Sequence, residues 1–307
     1  MIHPAGRGRL IAAFAAINIL WGSTYLAIAL GIRSVPPFLL IGSRSVLAGL
    51  ILLGLAGLRG AARPSAREWL LAAASGVLLF AGGQGMLAYA EQRVPTGLAA
   101  IVLATIPFWI ALLNFLAPGG RPRPRAAILA GMVPGLAGVA LIAWNGTGRG
   151  GPTIAPAMIG LLLVAAFSWA AGSVVSQRHA ASTPAMALAG MQLLCGSAAL
   201  LGASAVAGEL GNFSPAAVSA VSWAALAYLI FIGSVVAFTA YVWLLDHAPG
   251  PIVATYTFVN PIIAVALGWA VLGEHPGLLT LLGMALVVGS VALAWRMEAR
   301  ESLAAPQ

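Results

Sequence analysis

Residues 10–31 read LIAAFAAINILWGSTYLAIALG, and residues 155–177 read APAMIGLLLVAAFSWAAGSVVSQ. Each stretch is long enough to cross a bilayer as a helix, which takes about 20 mostly apolar residues. Neither contains a charged side chain, and each holds a tryptophan well inside its length, Trp21 and Trp169, 148 residues apart. Working outward from them, runs of the same kind bounded by Arg, Pro or Gly clusters are predicted at 10–31, 37–58, 69–90, 96–117, 126–145, 155–177, 184–207, 219–245, 250–272 and 277–296. The expectation is an all-α membrane protein of ten transmembrane helices, with no room for a water-soluble domain. Composition agrees: 61% of the 307 residues are hydrophobic and 7% charged, against roughly 25% charged in a soluble domain. The first run follows Arg7 and Arg9 but is too long for a secretory signal and lacks a small-residue cleavage site, so it reads as a retained helix.

Every one of the 15 basic residues is an arginine, and the net charge is +8. They lie singly or in small groups between apolar runs, without the basic groove or aromatic platform that nucleic acid requires. With the N-terminus inside, eleven of them (Arg7, Arg9, Arg59, Arg63, Arg67, Arg121, Arg123, Arg125, Arg178, Arg296 and Arg300) fall in cytoplasmic segments and three (Arg33, Arg93 and Arg149) outside; Arg44 is within a helix. This bias predicts cytoplasmic termini and a multi-pass place in the inner (cytoplasmic) membrane. The single cysteine, Cys195, supports neither a disulfide nor a thiolate metal site.

Sliding the second half over the first brings further matches. Pro36 aligns with Pro184 at the offset of 148. Val94-Pro95 and Pro107 align with Ala248-Pro249 and Pro261 at 154, and Gly131-Met132 with Gly283-Met284 at 152. Residues 1–148 and 149–307 therefore read as two copies of a five-helix unit. Five is odd, so the copies enter the membrane from opposite sides, an arrangement found in secondary transporters with the substrate near the midplane.

Helix geometry selects candidate lining residues, because positions three, four and seven apart share a face. These are Asn18, Trp21 and Tyr25 in the first helix, Gln84 and Glu91 in the third, Trp169 and Ser173 in the sixth, Tyr241 in the eighth, and Tyr256 with Asn260 in the ninth. Polar side chains within a bilayer face the bundle interior. For Asn18, Gln84, Ser173 and Asn260, interhelical hydrogen bonding and substrate lining stand as equal alternatives. Pro107 and Pro261 should kink the fourth and ninth helices, either as gates or as static bends. Gly131, Gly135 and Gly283 should let the fifth and tenth helices approach closely.

Arg44 and Glu91 lie at similar depths on neighbouring helices. Either they form a permanent ion pair, or Glu91 exchanges a substrate ammonium for a proton.

An enzyme is disfavoured: His3, His179, His247 and His275 sit in the N-terminal tail or at span ends, and no Gly-x-x-x-x-Gly-Lys loop exists. His275 with Glu274 reads as a solvated loop pair, too few ligands for a metal. No cofactor is implied.

The segments Ile19-Leu20-Trp21-Gly22-Ser23-Thr24-Tyr25, Pro36-Pro37 with Arg44, Tyr89-Ala90-Glu91 before Pro95-Thr96-Gly97, Ser168-Trp169, Gly233-Ser234, Tyr256 to Pro261 and Leu272-Gly273-Glu274 together resemble the EamA branch of the drug/metabolite transporter superfamily. The resemblance runs from about residue 10 to about residue 296. It implies a ten-helix fold around a central cavity and export of metabolites, with amino acids or similar small amphipathic molecules as substrates. Arg44 is the sole intramembrane cation, which ranks phosphorylated substrates below amino acids, small amines and cationic drugs. The expectation is a secondary-active exporter working by alternating access with proton coupling, as a monomer or weak homodimer in the lipid bilayer. A facilitative, channel-like carrier without proton coupling and a membrane scaffold are the alternatives.

Overall fold

The computed structural model describes residues 7–116, 133–141, 155–179, 183–248, 253 and 256–304. Among these residues all the regular structure is helical. The helices are α1 (Gly8–Gly31), α2 (Pro37–Leu58), α3 (Ala66–Ala90), α4 (Thr96–Leu116), α5 (133–141), α6 (Pro156–Gln177), α7 (Ala185–Val206), α8 (Ala220–Leu245), α9 (Tyr256–Leu267) and α10 (Leu278–Ala304). Seven of them, α1 to α4 and α6 to α8, are long and apolar enough to cross a membrane, and these agree with the expected runs to within three residues. Most of the run at 126–145 and the start of the run at 250–272 lie outside the described residues.

Local chemistry sets the helix starts. Pro37 opens α2 and Pro95 and Pro184 directly precede α4 and α7, where a missing N–H costs nothing and the fixed φ favours the first turn. Ser65 and Glu68 form a reciprocal capping box on α3, and Ser219 accepts from the Ser222 N–H at the start of α8. At the turn before α10, Gly273 takes a φ of 69°, a conformation that only a residue without Cβ adopts freely.

Ile19, Leu47, Leu50, Phe167, Trp223 and Trp269 are exposed around the outside of the bundle, which suits lipid and would be costly in water.

The two halves interlock where α2 packs on α7, α3 and α4 on α6, α4 on α9 and α1 on α8. Glycines permit the closest approaches. A Cβ at Gly49 would stand 3.0 Å from the Gly190 carbonyl oxygen, and one at Gly190 3.1 Å from that of Gly49. Gly76 of α3 lies directly against the Gln192 carbonyl of α7. Between α5 and α10 the close contact is Gly138 on the Gly283 carbonyl, while Gly135 abuts Phe108 and Ser290; Gly131 is outside the described residues.

Wide, π-helical turns interrupt α1 at Ala16–Leu20, α3 at Val77–Gly85 and α8 at Leu229–Val236, and another, Gly268–Leu272, follows α9. Those of α3 and α8 fall on matching sequence, Phe80-Ala81-Gly82-Gly83 and Phe231-Ile232-Gly233-Ser234. A widened turn disturbs the backbone ladder and leaves carbonyls for other donors. The Ser168 hydroxyl donates to Leu78 O at 2.8 Å, and the Trp21 indole to Gly233 O at 3.1 Å.

Helix α4 breaks at Ala104–Thr105, immediately before Pro107. Pro261, in contrast, sits within the continuous helix α9.

Candidate functional site

Trp21, Trp169, Tyr241 and Tyr256 come from four helices and meet in one buried cluster. Ring centroids lie 5.6 Å apart for Trp21–Trp169, 4.8 Å for Trp21–Tyr241 and 5.0 Å for Trp21–Tyr256. Phe80 and Phe238 extend it, packing edge to face at 5.1 Å. Their polar atoms are linked to one another: the Trp169 indole donates to the Tyr256 hydroxyl at 3.1 Å, and Ser173, which donates to Trp169 O, is hydrogen-bonded to the Tyr241 hydroxyl at 2.9 Å. Edge-to-face contacts of this kind add to simple burial. The rings are nearly inaccessible, none more than 6% exposed, so they close the middle of the bundle.

Asn18 turns back onto its own helix, its amide donating to Phe14 O at 2.7 Å, and its carbonyl oxygen is buried without a partner. Asn260 is buried with an equally unpaired carbonyl oxygen.

On one side of the cluster the loops of the two halves knit together. Ser34 bonds Ser219, the Glu209 carboxylate accepts the N–H groups of Phe38 and Leu39 at the start of α2, and Glu274 accepts from Thr96 N at 2.8 Å, from the Thr96 hydroxyl and from Gly97 N. Two carboxylates of the second half thus occupy helix N-termini of the first, where unsatisfied N–H groups and the helix dipole favour an anion. Glu274 is therefore a structural clasp and not the solvated partner of His275 that its place in the sequence suggests.

Glu91 caps this same carboxylate end. It is 8% exposed, and neither of its oxygens has a hydrogen-bond partner. Burial first, and the charge of Glu274 second, push its carboxyl well above the usual carboxylate range. Tyr25, also buried, lies within electrostatic reach of it.

Arg44 and Glu91 do not meet. The Arg44 side chain runs instead to α8 and α3, donating from Nε to the Ser234 hydroxyl at 2.7 Å and from Nη1 to Gln84 Oε1 at 3.4 Å.

At the opposite end, where Arg9 and Arg59 stand, a cavity of about 770 Å³ opens between α1, α2, α7 and α8. Its walls include Ala12, Ala56, Met186, Val236, Thr239 and Trp243. A volume of this order suits a small organic ligand. None of these wall residues stood out in the sequence, since Ala, Met and Val within an apolar helix carry no chemical signal. Glu68 ties this end together, accepting from the Thr183 hydroxyl ahead of α7.

A family model described as the EamA-like transporter family matches the chain twice, over residues 8–144 and 156–296. The chain is 36% identical to a protein of Escherichia coli (strain K12) named "Uncharacterized inner membrane transporter YedA", over 92% of this chain and 90% of that protein. It is 24% identical to a second protein of that strain, named "Probable amino-acid metabolite efflux pump", over 91% of this chain and 94% of that one. A solved crystal structure with 22% identity covers 94% of this chain and 98% of its own at a TM-score of 0.67, a likeness of fold.

Proposed function

This chain belongs to the EamA-like transporter family, and from that premise we propose that it is a secondary carrier of the inner membrane exporting small metabolites by alternating access. The substrates in this reading are amino acids or related amphipathic or cationic compounds. Two inverted five-helix repeats, residues 1–148 and 149–307, rock about the aromatic cluster, and both termini are cytoplasmic. The observation that carries the reading is the cluster itself: Trp21 and Trp169 hold equivalent sequence positions, meet at 5.6 Å, and separate a clasped end from a cavity at the other. The wide turns of α3 and α8 on matching sequence, each accepting a hydrogen bond from a helix of the opposite half, support an internal two-fold relation. The arginine bias puts the cavity on the cytoplasmic side, where an exporter takes up its load. The amino-acid relative supports the substrate class.

In this reading the proton acts at Glu91, which takes up a proton or a substrate ammonium but not both. A desolvated aromatic face contributes about 0.5–2 kcal/mol to holding an ammonium group.

Counterflow in proteoliposomes tests the proposal: vesicles loaded with an unlabelled amino acid should accumulate the labelled one transiently, and protein-free vesicles should not. Trp21→Ala and Trp169→Ala, in protein that still reaches the membrane, should slow counterflow roughly ten-fold for each 1.4 kcal/mol lost. Equal rates in both variants and the parent would make the cluster plain packing.

A further inference from the structure

Arg44 is 2% exposed, on α2, inside the bundle. A cation at such depth normally finds an anion. Among the described side chains it has none: its hydrogen-bond partners are a hydroxyl and an amide oxygen, both neutral. Those two bonds use Nε and one Nη1 hydrogen, and the guanidinium has five N–H donors. Among the described residues Nη2 makes no hydrogen bond, and it lies 3.4 Å from where a side chain at Gly233 would begin. Gly233 is also the residue whose carbonyl receives the Trp21 indole, so the free edge of the guanidinium borders the aromatic cluster. The next residue, Ser234, fixes the orientation of the fork through Nε. The cavity begins close by, because its α8 wall runs from Val236 to Trp243, and two residues of helix are about 3 Å.

A buried guanidinium held by neutral groups, with donors to spare beside an aromatic surface and a cavity, is incomplete without an anion. We propose that Arg44 binds the carboxylate of the transported molecule, so that the carrier selects solutes joining a carboxylate to an apolar or aromatic body and rejects amines that lack one. The selection rests on the carrier reading above but is separable from it. Planar bidentate pairing gives a guanidinium its preference for carboxylate over a carboxamide, which is neutral and offers one acceptor. Ser234 and Gln84 serve as positioning residues. Gly233 leaves that edge of the guanidinium uncovered, since any side chain there would begin 3.4 Å from Arg44 Nη2 and 3.0 Å from Thr24.

The test uses the purified full-length protein in neutral, lipid-free detergent. Thermal shifts are read against the twenty amino acids and, for each, its carboxamide. At least one acid should stabilise the protein with an apparent Kd at least ten-fold below that of its amide. Arg44→Gln should abolish that difference, and Ser234→Ala should reduce it while leaving binding detectable. Arg44→Lys guards against a misfolded Gln variant: it keeps the charge, and a weakened acid preference without loss of folding supports the assignment. Repeating the titration with phosphatidylglycerol present separates solute from lipid, because a lipid phosphate at Arg44 would compete with the acid, whereas a solute site is indifferent. Equal binding of acids and amides, no acid binding at all, or an acid preference that survives Arg44→Gln overturns the proposal. Counterflow of an amine lacking a carboxylate would sink the Arg44 assignment and leave the carrier standing, whereas absence of all counterflow would sink the carrier reading.

Discussion

Glu91 concentrates the chemistry of a single residue. Its carboxyl is buried, unpaired and near a second carboxylate, so the folded protein binds its proton more tightly than the unfolded chain does. For a carboxyl raised in this way the stability is fully present below the unfolded value of about 4.3 and is lost as the pH rises through the folded one. The melting temperature of the parent should therefore fall as pH is raised from about 4, and Glu91→Gln, which keeps the shape without the charge, should flatten that fall. Parallel melting profiles for the two proteins would show that Glu91 does not titrate in the folded state. At this scale the sequence was informative where a side chain is unusual for its surroundings. Trp21 and Trp169 stand inside apolar runs away from the interfacial belts, and their meeting follows from that placement. Arg44 was equally conspicuous, but its partners were not. Ser234 and Gln84 lie 190 and 40 residues away from it, and only the packing of α2 on α3 and α8 decides that the side chain turns toward them and away from Glu91.

For the elements, hydrophobic runs and proline starts set the helix bounds, which is why seven expected spans recur within three residues. The wide turns were not legible in the same way. No residue type encodes an i→i+5 turn, and the carbonyls it leaves are taken by Trp21 and Ser168 from other helices, a tertiary effect. The two prolines make the same point: α4 breaks before Pro107, yet α9 continues through Pro261. Close helix contacts are a matter of glycine placement. Gly76 should not tolerate a methyl group, because the first atom met is the Gln192 backbone carbonyl, which has no rotamer with which to retreat. Gly76→Ala is expected to destabilise by about 1–3 kcal/mol, read as a lower melting temperature in detergent. Gly54, with open space around it, is the control, and Gly54→Ala should be close to neutral. Equal melting temperatures for both variants would mean that α3 and α7 can move apart without cost.

For the whole molecule, two unlike ends flank one closed middle. Glu209 and Glu274 clasp one end, and a cavity of about 770 Å³ opens the other. The arginine count predicts a cytoplasmic cavity end and cytoplasmic termini, so a reporter active only in the periplasm should be silent when fused after Gln307; activity there would mean an odd number of spans or the opposite orientation, and either would contradict the prediction. Which end is closed could not be read from sequence, because both ends carry Pro, Gly and isolated carboxylates, and the clasps join residues 170 to 178 positions apart. Alternating access requires the two ends to exchange these roles. The most direct measurement is of spin-label distances in a Cys195→Ser background, one pair at Gln92 and His275 across the clasped end and a second at Ala62 and Pro184 across the cavity end. The account predicts two distances for each pair, with the longer distance at one end rising in population as the longer distance at the other falls when pH or solute is varied. A single unchanging distance at each end, under conditions that support counterflow, would contradict it.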